Sequence, residues 1–142
     1  MIALSFLTPK KDVQFLYQDF TIRQALEKME FHRYGTIPVI ERATGRYLYS
    51  LSEGDFLWYL KDRGFSLREL QQKPLSEVSP SRDILPSSVN AEMDDLYSLA
   101  VQQNFVPILD DLGVFIGIVT RKRIMCAYRE FLQENEASES KE

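Results

Sequence analysis

The 142-residue chain has one cysteine and one histidine. With Cys126 alone no intramolecular disulfide can form, and a reducing compartment is the natural setting. Cys126 stands in an apolar helical run, where a buried structural thiol is expected rather than a nucleophile. His32 falls on a predicted helix and reads as a surface residue rather than a base. No Cys/His or Asp/Glu cluster has metal-ligand spacing, so no metal or other cofactor is expected. No glycine-rich phosphate loop of the P-loop or dinucleotide type is present, and the chain does not read as an enzyme. No apolar run approaches the ~20 residues of a membrane helix. The opening Met1-Ile2-Ala3-Leu4-Ser5-Phe6-Leu7 lacks the basic start and apolar length of a signal peptide. A net charge of −4 and a pI near 5.1 leave no broad basic face for nucleic acid. The expectation is a cytoplasmic protein that binds neither membrane nor nucleic acid.

What is present is ordinary for a globular chain, 44% hydrophobic and 27% charged, of a length that fits one compact unit. The informative feature is internal repetition. Tyr34-Gly35-Thr36-Ile37-Pro38-Val39-Ile40 is followed by Leu48-Tyr49-Ser50-Leu51-Ser52-Glu53-Gly54-Asp55. Gln103-Asn104-Phe105-Val106-Pro107-Ile108-Leu109 is followed by Ile116-Gly117-Ile118-Val119-Thr120-Arg121-Lys122-Arg123. The two prolines lie 69 residues apart and the hydroxyls of Ser52 and Thr120 lie 68 apart. A repeat of this period signals one structural unit duplicated, with a cleft between the copies. Copies this small are expected to pack on each other.

Both copies read as strand, helix, strand, strand, helix. In the first, Val13 to Leu16 is a short strand, and Thr21 with Gln24 forms a capping box for a helix striped by Ile22, Ala25, Leu26 and Met29. Thr36 to Ile40 and Tyr47 to Leu51 form a hairpin across Arg42-Ala43-Thr44-Gly45. A second helix carries Phe56, Leu57, Trp58 and Leu60 and ends at Gly64. In the second copy, Asn90 is expected to cap a helix with Met93, Leu96, Tyr97 and Ala100 on its apolar face. Val106 to Leu109 and Val114 to Val119 pair across Asp110-Asp111-Leu112-Gly113, and Ile124, Met125, Tyr128 and Leu132 stripe the last helix. The division expected is 1–65 for the first copy, 66–80 for a connector, 81–133 for the second copy and 134–142 for a disordered acidic tail.

Gly35-Thr36-Ile37-Pro38 before a strand, and a hairpin ending in Ser52-x-x-Asp55 at a helix start, resemble a CBS motif. The second copy matches in order and spacing, so the pair resembles a tandem CBS (Bateman) module. The nearest likeness is to small stand-alone CBS-pair proteins of Gram-positive bacteria. That resemblance implies an α/β fold of two β-α-β-β-α motifs in one pseudo-twofold module. It also implies a regulatory protein that binds adenine nucleotides, in some members cyclic di-AMP, and signals through a further protein. Each cleft of the family is built crosswise, from the glycine-to-proline turn of one motif and the Ser/Thr-x-x-Asp turn of the other. Carried onto this sequence, the first site joins Val13, Gln14, Tyr34, Gly35, Thr36, Ile37 and Pro38 with Thr120, Arg121, Lys122 and Arg123. The second possible site joins Asn104, Phe105, Val106 and Pro107 with Ser52 and Asp55. Relatives that bind cyclic di-AMP tend to carry a base near Asp12; here Lys10 and Lys11 stand beside it.

The residues support this chemistry on their own terms. Cations at a helix start oppose the helix dipole, and a phosphate resolves the conflict through backbone N–H groups and charge-assisted bonds. Solvated surface cations are the plain alternative. Tyr34 is a candidate to stack on a base, or else a packing residue. The resemblance implies that Asp55 accepts hydrogen bonds from ribose hydroxyls, whereas on its own terms it reads as a helix N-cap; Phe105 reads as filling the second base pocket. The apolar excess of the helices after Asp55 and Arg123, including Trp58 and Phe131, points to a homodimer. A ligand-free adaptor that only dimerises and presents a surface is the competing reading.

Overall fold

The computed structural model describes residues 2–139. Its strands are β1 (Thr8–Pro9), β2 (Leu16–Tyr17), β3 (Thr36–Ile40), β4 (Tyr47–Ser52), β5 (Ser87–Ser88), β6 (Phe105–Leu109) and β7 (Phe115–Thr120). Its helices are α1 (Ile22–His32), α2 (Glu53–Arg63), α3 (Leu67–Gln71), α4 (Met93–Ala100) and α5 (Arg121–Glu139). The order β-α-β-β-α occurs twice, as β2-α1-β3-β4-α2 and β5-α4-β6-β7-α5, which is the α/β class the repeat implies.

The chain forms two compact units whose boundaries differ from the sequence division. The first unit runs Gln14–Ile84 and includes Leu112–Phe115; the second takes the described residues up to Val13, Leu85–Asp111 and the chain from Ile116 on. The N-terminal segment therefore belongs with the second motif, because β1 pairs antiparallel with β7, Thr8 opposite Ile118 and Pro9 opposite Gly117. A two-residue strand has no periodicity to reveal this in sequence.

In the first unit a three-stranded sheet is ordered β2-β3-β4, with β2 parallel to β3 and β3 antiparallel to β4. Ile22, Ala25 and Met29 of α1 and Phe56 and Tyr59 of α2 pack with Leu16, Ile37, Val39 and Leu51 of the strands in one buried cluster. The expected strand at Val13 to Leu16 shortens to Leu16–Tyr17, since Val13 instead closes a 3-10 turn over Lys10–Asp12 by donating to the Lys10 carbonyl. The capping box of α1 forms as read: Gln24 N–H donates to Thr21 Oγ1 at 3.2 Å and Thr21 N–H to Gln24 Oε1 at 2.9 Å. Gly64 ends α2 at φ 69°, its N–H on the Leu60 carbonyl. The stretch read as a connector is part of this body: α3 and the turn Leu75–Glu77 bring Leu70, Leu75 and Val78 into the same core. The Tyr47 hydroxyl donates to the Ile84 carbonyl at 2.9 Å and lies 2.8 Å from Ser50 Oγ, and burial pushes its pKa up to about 12.

The second unit has a four-stranded sheet ordered β1-β7-β6-β5 and a core of its own, with Met93, Leu96, Ala100, Val106, Ile108, Val119, Ile124 and Ala127 buried. Asn90 does not cap α4. The Ala91 N–H bonds back to Ser88, this turn delays the helix, and Glu92 becomes the N-cap, its N–H on the Asp95 carboxylate at 3.3 Å. Gln103, 4% exposed, clips the chain entering β5: its amide oxygen accepts from Leu85 N–H at 3.0 Å, and its amide nitrogen donates to Leu85 O at 2.8 Å and Phe105 O at 2.9 Å. In place of the expected disordered tail, 134–139 continue α5, which the helix-forming Glu, Gln and Ala favour; 140–142 lie outside the described residues. No helix among the described residues is long and apolar enough to cross a membrane.

Candidate functional site

The basic turn is set by the end of β7 at Thr120. The Thr120 hydroxyl accepts the Arg123 N–H at 3.2 Å, an N-cap contact that starts α5. The Arg121 N–H donates to the Asn104 carbonyl at 2.8 Å, so the entry to β6 and the exit from β7 lie side by side within this unit. The Arg121 side chain turns away from the turn. Its Nε donates to the Ala100 carbonyl at 2.7 Å and the Gln103 carbonyl at 3.2 Å, at the C-terminus of α4. A cation is favoured at that negative helix end, which offsets the cost of standing at the positive start of α5. Arg121 thus has a protein partner that the sequence reading assigned to an anion. Lys122 and Arg123 remain exposed, with the Arg123 guanidinium 6.0 Å from the Phe6 ring centre. Of the first three α5 amides, those of Arg121 and Arg123 are used and, among the described residues, that of Lys122 has no protein acceptor. Lys10 and Lys11 precede Val13 in the turn after β1, whereas it is Phe6, ahead of β1, that neighbours Arg123.

The glycine-to-proline turn follows α1. Arg33 adopts the left-handed conformation at φ 57°, and the Tyr34 N–H reaches back to the Met29 carbonyl at 3.1 Å in a Schellman-type ending. Gly35 O accepts from the Glu53 N–H at 3.0 Å, and Thr36 pairs with Ser52 across the hairpin. Tyr34 is 37% exposed, and Gly35 and Thr36 also reach the surface. Ile37 and Pro38 are buried and shape β3 from below. Val13 is buried and Gln14 half-buried.

Asp55 is not the N-cap of α2. Ser52 is the N-cap of α2, and Asp55 completes its capping box three residues on, Oδ2 accepting the Ser52 N–H at 2.8 Å. Oδ1 accepts both the Ser81 N–H at 2.9 Å and the Ser81 hydroxyl at 2.6 Å. With both oxygens committed and 5% exposure, the carboxylate anchors the segment after α3 to α2. Asp55→Ala is therefore expected to cost about 2–4 kcal/mol of stability, by orphaning two amides at once. Thermal unfolding of this variant beside Ser81→Ala, which keeps the α2 cap and loses less, checks the assignment. In the other half of the second possible site, Phe105, Val106 and Pro107 are buried and Asn104 alone is exposed.

Cys126 is exposed, contrary to the buried thiol expected, because the buried stripe of α5 runs through Ile124 and Ala127. His32 is exposed with its ring between Phe31 and Tyr34. The roles of Ser81 and Gln103 were missed in sequence. Each partners a residue many positions away or a backbone group, and no local motif signals that.

Two hairpin-and-helix units, each presenting a helix-start turn beside a glycine-to-proline or equivalent strand entry, define the class of module. Residues 5–62 match the sequence profile of the CBS domain. This stretch resembles a CBS domain, and the whole chain carries the fold of CBS-pair proteins. An uncharacterized protein of Methanocaldococcus jannaschii is 23% identical over 141 residues, covering 92% of this chain and 50% of that protein. The chain thus spans about half the length of this curated relative. Among solved structures, CbpB in complex with c-di-AMP superposes with a TM-score of 0.82 at 22% identity, covering 97% of this chain and 91% of that one. CBSX2 in complex with AMP superposes with a TM-score of 0.70 at 19% identity, covering 92% of this chain and 97% of that one.

Proposed function

We propose that the chain is a regulatory module that senses an adenine nucleotide and passes the signal to a partner protein. Cyclic di-AMP is the favoured ligand, ahead of AMP, ADP and ATP. The observation that carries this reading is the pair of exposed cations Lys122 and Arg123 beside an unused amide at the start of α5. It gains support from a fold shared with proteins seen holding c-di-AMP and AMP. Thr120, Lys122 and Arg123 receive the phosphates, with Arg121 fixing the turn through α4. By the crosswise rule of CBS pairs, the edge Tyr34-Gly35-Thr36 receives the base, while Val13, Gln14, Ile37 and Pro38 shape its surroundings. The second site, Ser52 and Asp55 with Asn104 to Pro107, is the weaker binder, because Asp55 is already saturated by protein donors. The module acts by binding rather than catalysis, in the cytoplasm, as a homodimer that meets through α2 and α5.

A thermal-shift panel of adenine and guanine nucleotides tests the reading. A ligand of the folded state stabilises by RT ln(1 + [L]/Kd), about 2.7 kcal/mol at a hundredfold excess over Kd. Cyclic di-AMP is expected to raise the melting temperature and guanine nucleotides to leave it unchanged. No response to any nucleotide would favour the adaptor reading, which the exposed Leu57, Trp58 and Met125 also support.

A further inference from the structure

The second unit holds a cavity of about 290 Å³, lined by Tyr97, Ala100, Val101, Arg121 and Met125. Its size lies near the lower end of ligand pockets, roughly 300–1,000 Å³. Tyr97 is braced by stacking on Tyr128, ring centres 4.4 Å apart, and the exposed Val101 and Met125 add apolar wall. Arg121 is the one charged side chain of the five. Its Nε is committed to the Ala100 and Gln103 carbonyls at 2.7 and 3.2 Å. Among the described residues, neither Nη of Arg121 has a protein acceptor and no carboxylate pairs with its guanidinium. A half-buried guanidinium held through one nitrogen offers the other two as an oriented fork, the geometry that takes a carboxylate bidentately.

We infer that this cavity binds a small apolar monocarboxylate, an aryl or alkyl acid, with its carboxylate on the Arg121 Nη pair and its body against Tyr97, Val101 and Met125. Charge and surface together select that class. A neutral apolar molecule would cover the guanidinium without giving it an acceptor, and a polar anion would leave the apolar wall wet. The repeat places Glu53 at the position equivalent to Arg121, where it lines a separate groove of the first unit. A carboxylate there repels an acid, so one site per chain follows. The site is built from one unit by itself and rests neither on the nucleotide reading nor on the homodimer.

Phenylacetate is the probe, with acetate and phenylacetamide as controls, followed by NMR of the methionine methyls and backbone amides. Saturable shifts of the Met125 methyl and the Val101 amide are expected with phenylacetate, at one equivalent per chain. Acetate lacks the apolar body and the amide lacks the charge, so each should bind about tenfold or more weakly. Arg121→Lys keeps the charge and loses the fork, and should weaken the acid by a similar factor. Because Arg121 also braces the turn, Met125→Glu is the second variant. Position 125 is exposed, so the melting temperature should hold, while a carboxylate four residues along α5 satisfies Arg121 internally and excludes the acid. Equal affinity for phenylacetate and phenylacetamide, or undiminished binding by Met125→Glu, would overturn the assignment. So would the absence of any saturable shift, or shifts centred on the Lys122 and Arg123 amides, which would mark an anion held by the basic turn.

Discussion

Removing both exposed cations of the basic turn, in Lys122→Ala/Arg123→Ala, is expected to lower nucleotide affinity about a hundredfold or more. A hydrogen bond to a charged group contributes roughly 1.5–3 kcal/mol, and each 1.4 kcal/mol is a factor of ten. The fold should be unaffected, since neither side chain has a buried role; Arg123 only approaches the Phe6 ring. Arg121→Ala should behave differently. It strips the cap from the Ala100 and Gln103 carbonyls, so its melting temperature should fall along with any loss of binding. Affinity of the unsubstituted chain should also decline with added salt, as for any partly exposed ionic contact. Titration and thermal unfolding of the two variants separate the binding role from the positioning role. Equal melting temperatures for the two would contradict the division between them.

Gly117→Ala is expected to be the most damaging single methyl addition in the second unit, at roughly 2–4 kcal/mol. A Cβ at Gly117, where φ is 156°, would lie 2.2 Å from the Thr8 carbonyl oxygen and 3.1 Å from Pro9 Cα. Both obstacles are backbone of β1, so the strand must leave β7 or the methyl must be expelled. Gly64→Ala is the control. Gly64 also has a positive φ, 69°, but nothing lies within 4 Å of a Cβ there, so only backbone strain of about 1 kcal/mol is expected. Thermal melts of the two variants, with hydrogen exchange at the amides of β1 and β7, distinguish a local steric clash from a general cost of replacing glycine.

The repeat was legible because the same buried positions recur in both copies. Ile22, Ala25 and Met29 match Met93, Leu96 and Ala100, and Phe56 matches Ile124, all buried. Helical periodicity and capping residues carry that information locally, so the element order, the Thr21 box and the Gly64 stop could all be read. What could not be read depended on groups distant in sequence. Arg121 was assigned to an anion because the carbonyls it serves belong to Ala100 and Gln103, whose ends are defined only once α4 stops. Asp55 was read as a ligand or an N-cap because its partner Ser81 sits 26 residues away with no motif linking them. The N-terminal segment was placed with the first motif because β1 is too short to announce its pairing with β7. Cys126 is expected to be buried because it stands in an apolar run, but the buried face of α5 is Ile124 and Ala127, which leaves the thiol exposed.

Calorimetric titration of the unsubstituted chain with cyclic di-AMP, run beside Lys122→Ala/Arg123→Ala, tests whether the basic turn holds the nucleotide. Saturable binding to the unsubstituted chain is expected, weakened about a hundredfold in the variant. Absence of heat with cyclic di-AMP, AMP, ADP and ATP alike, or binding of equal strength to both chains, would contradict it.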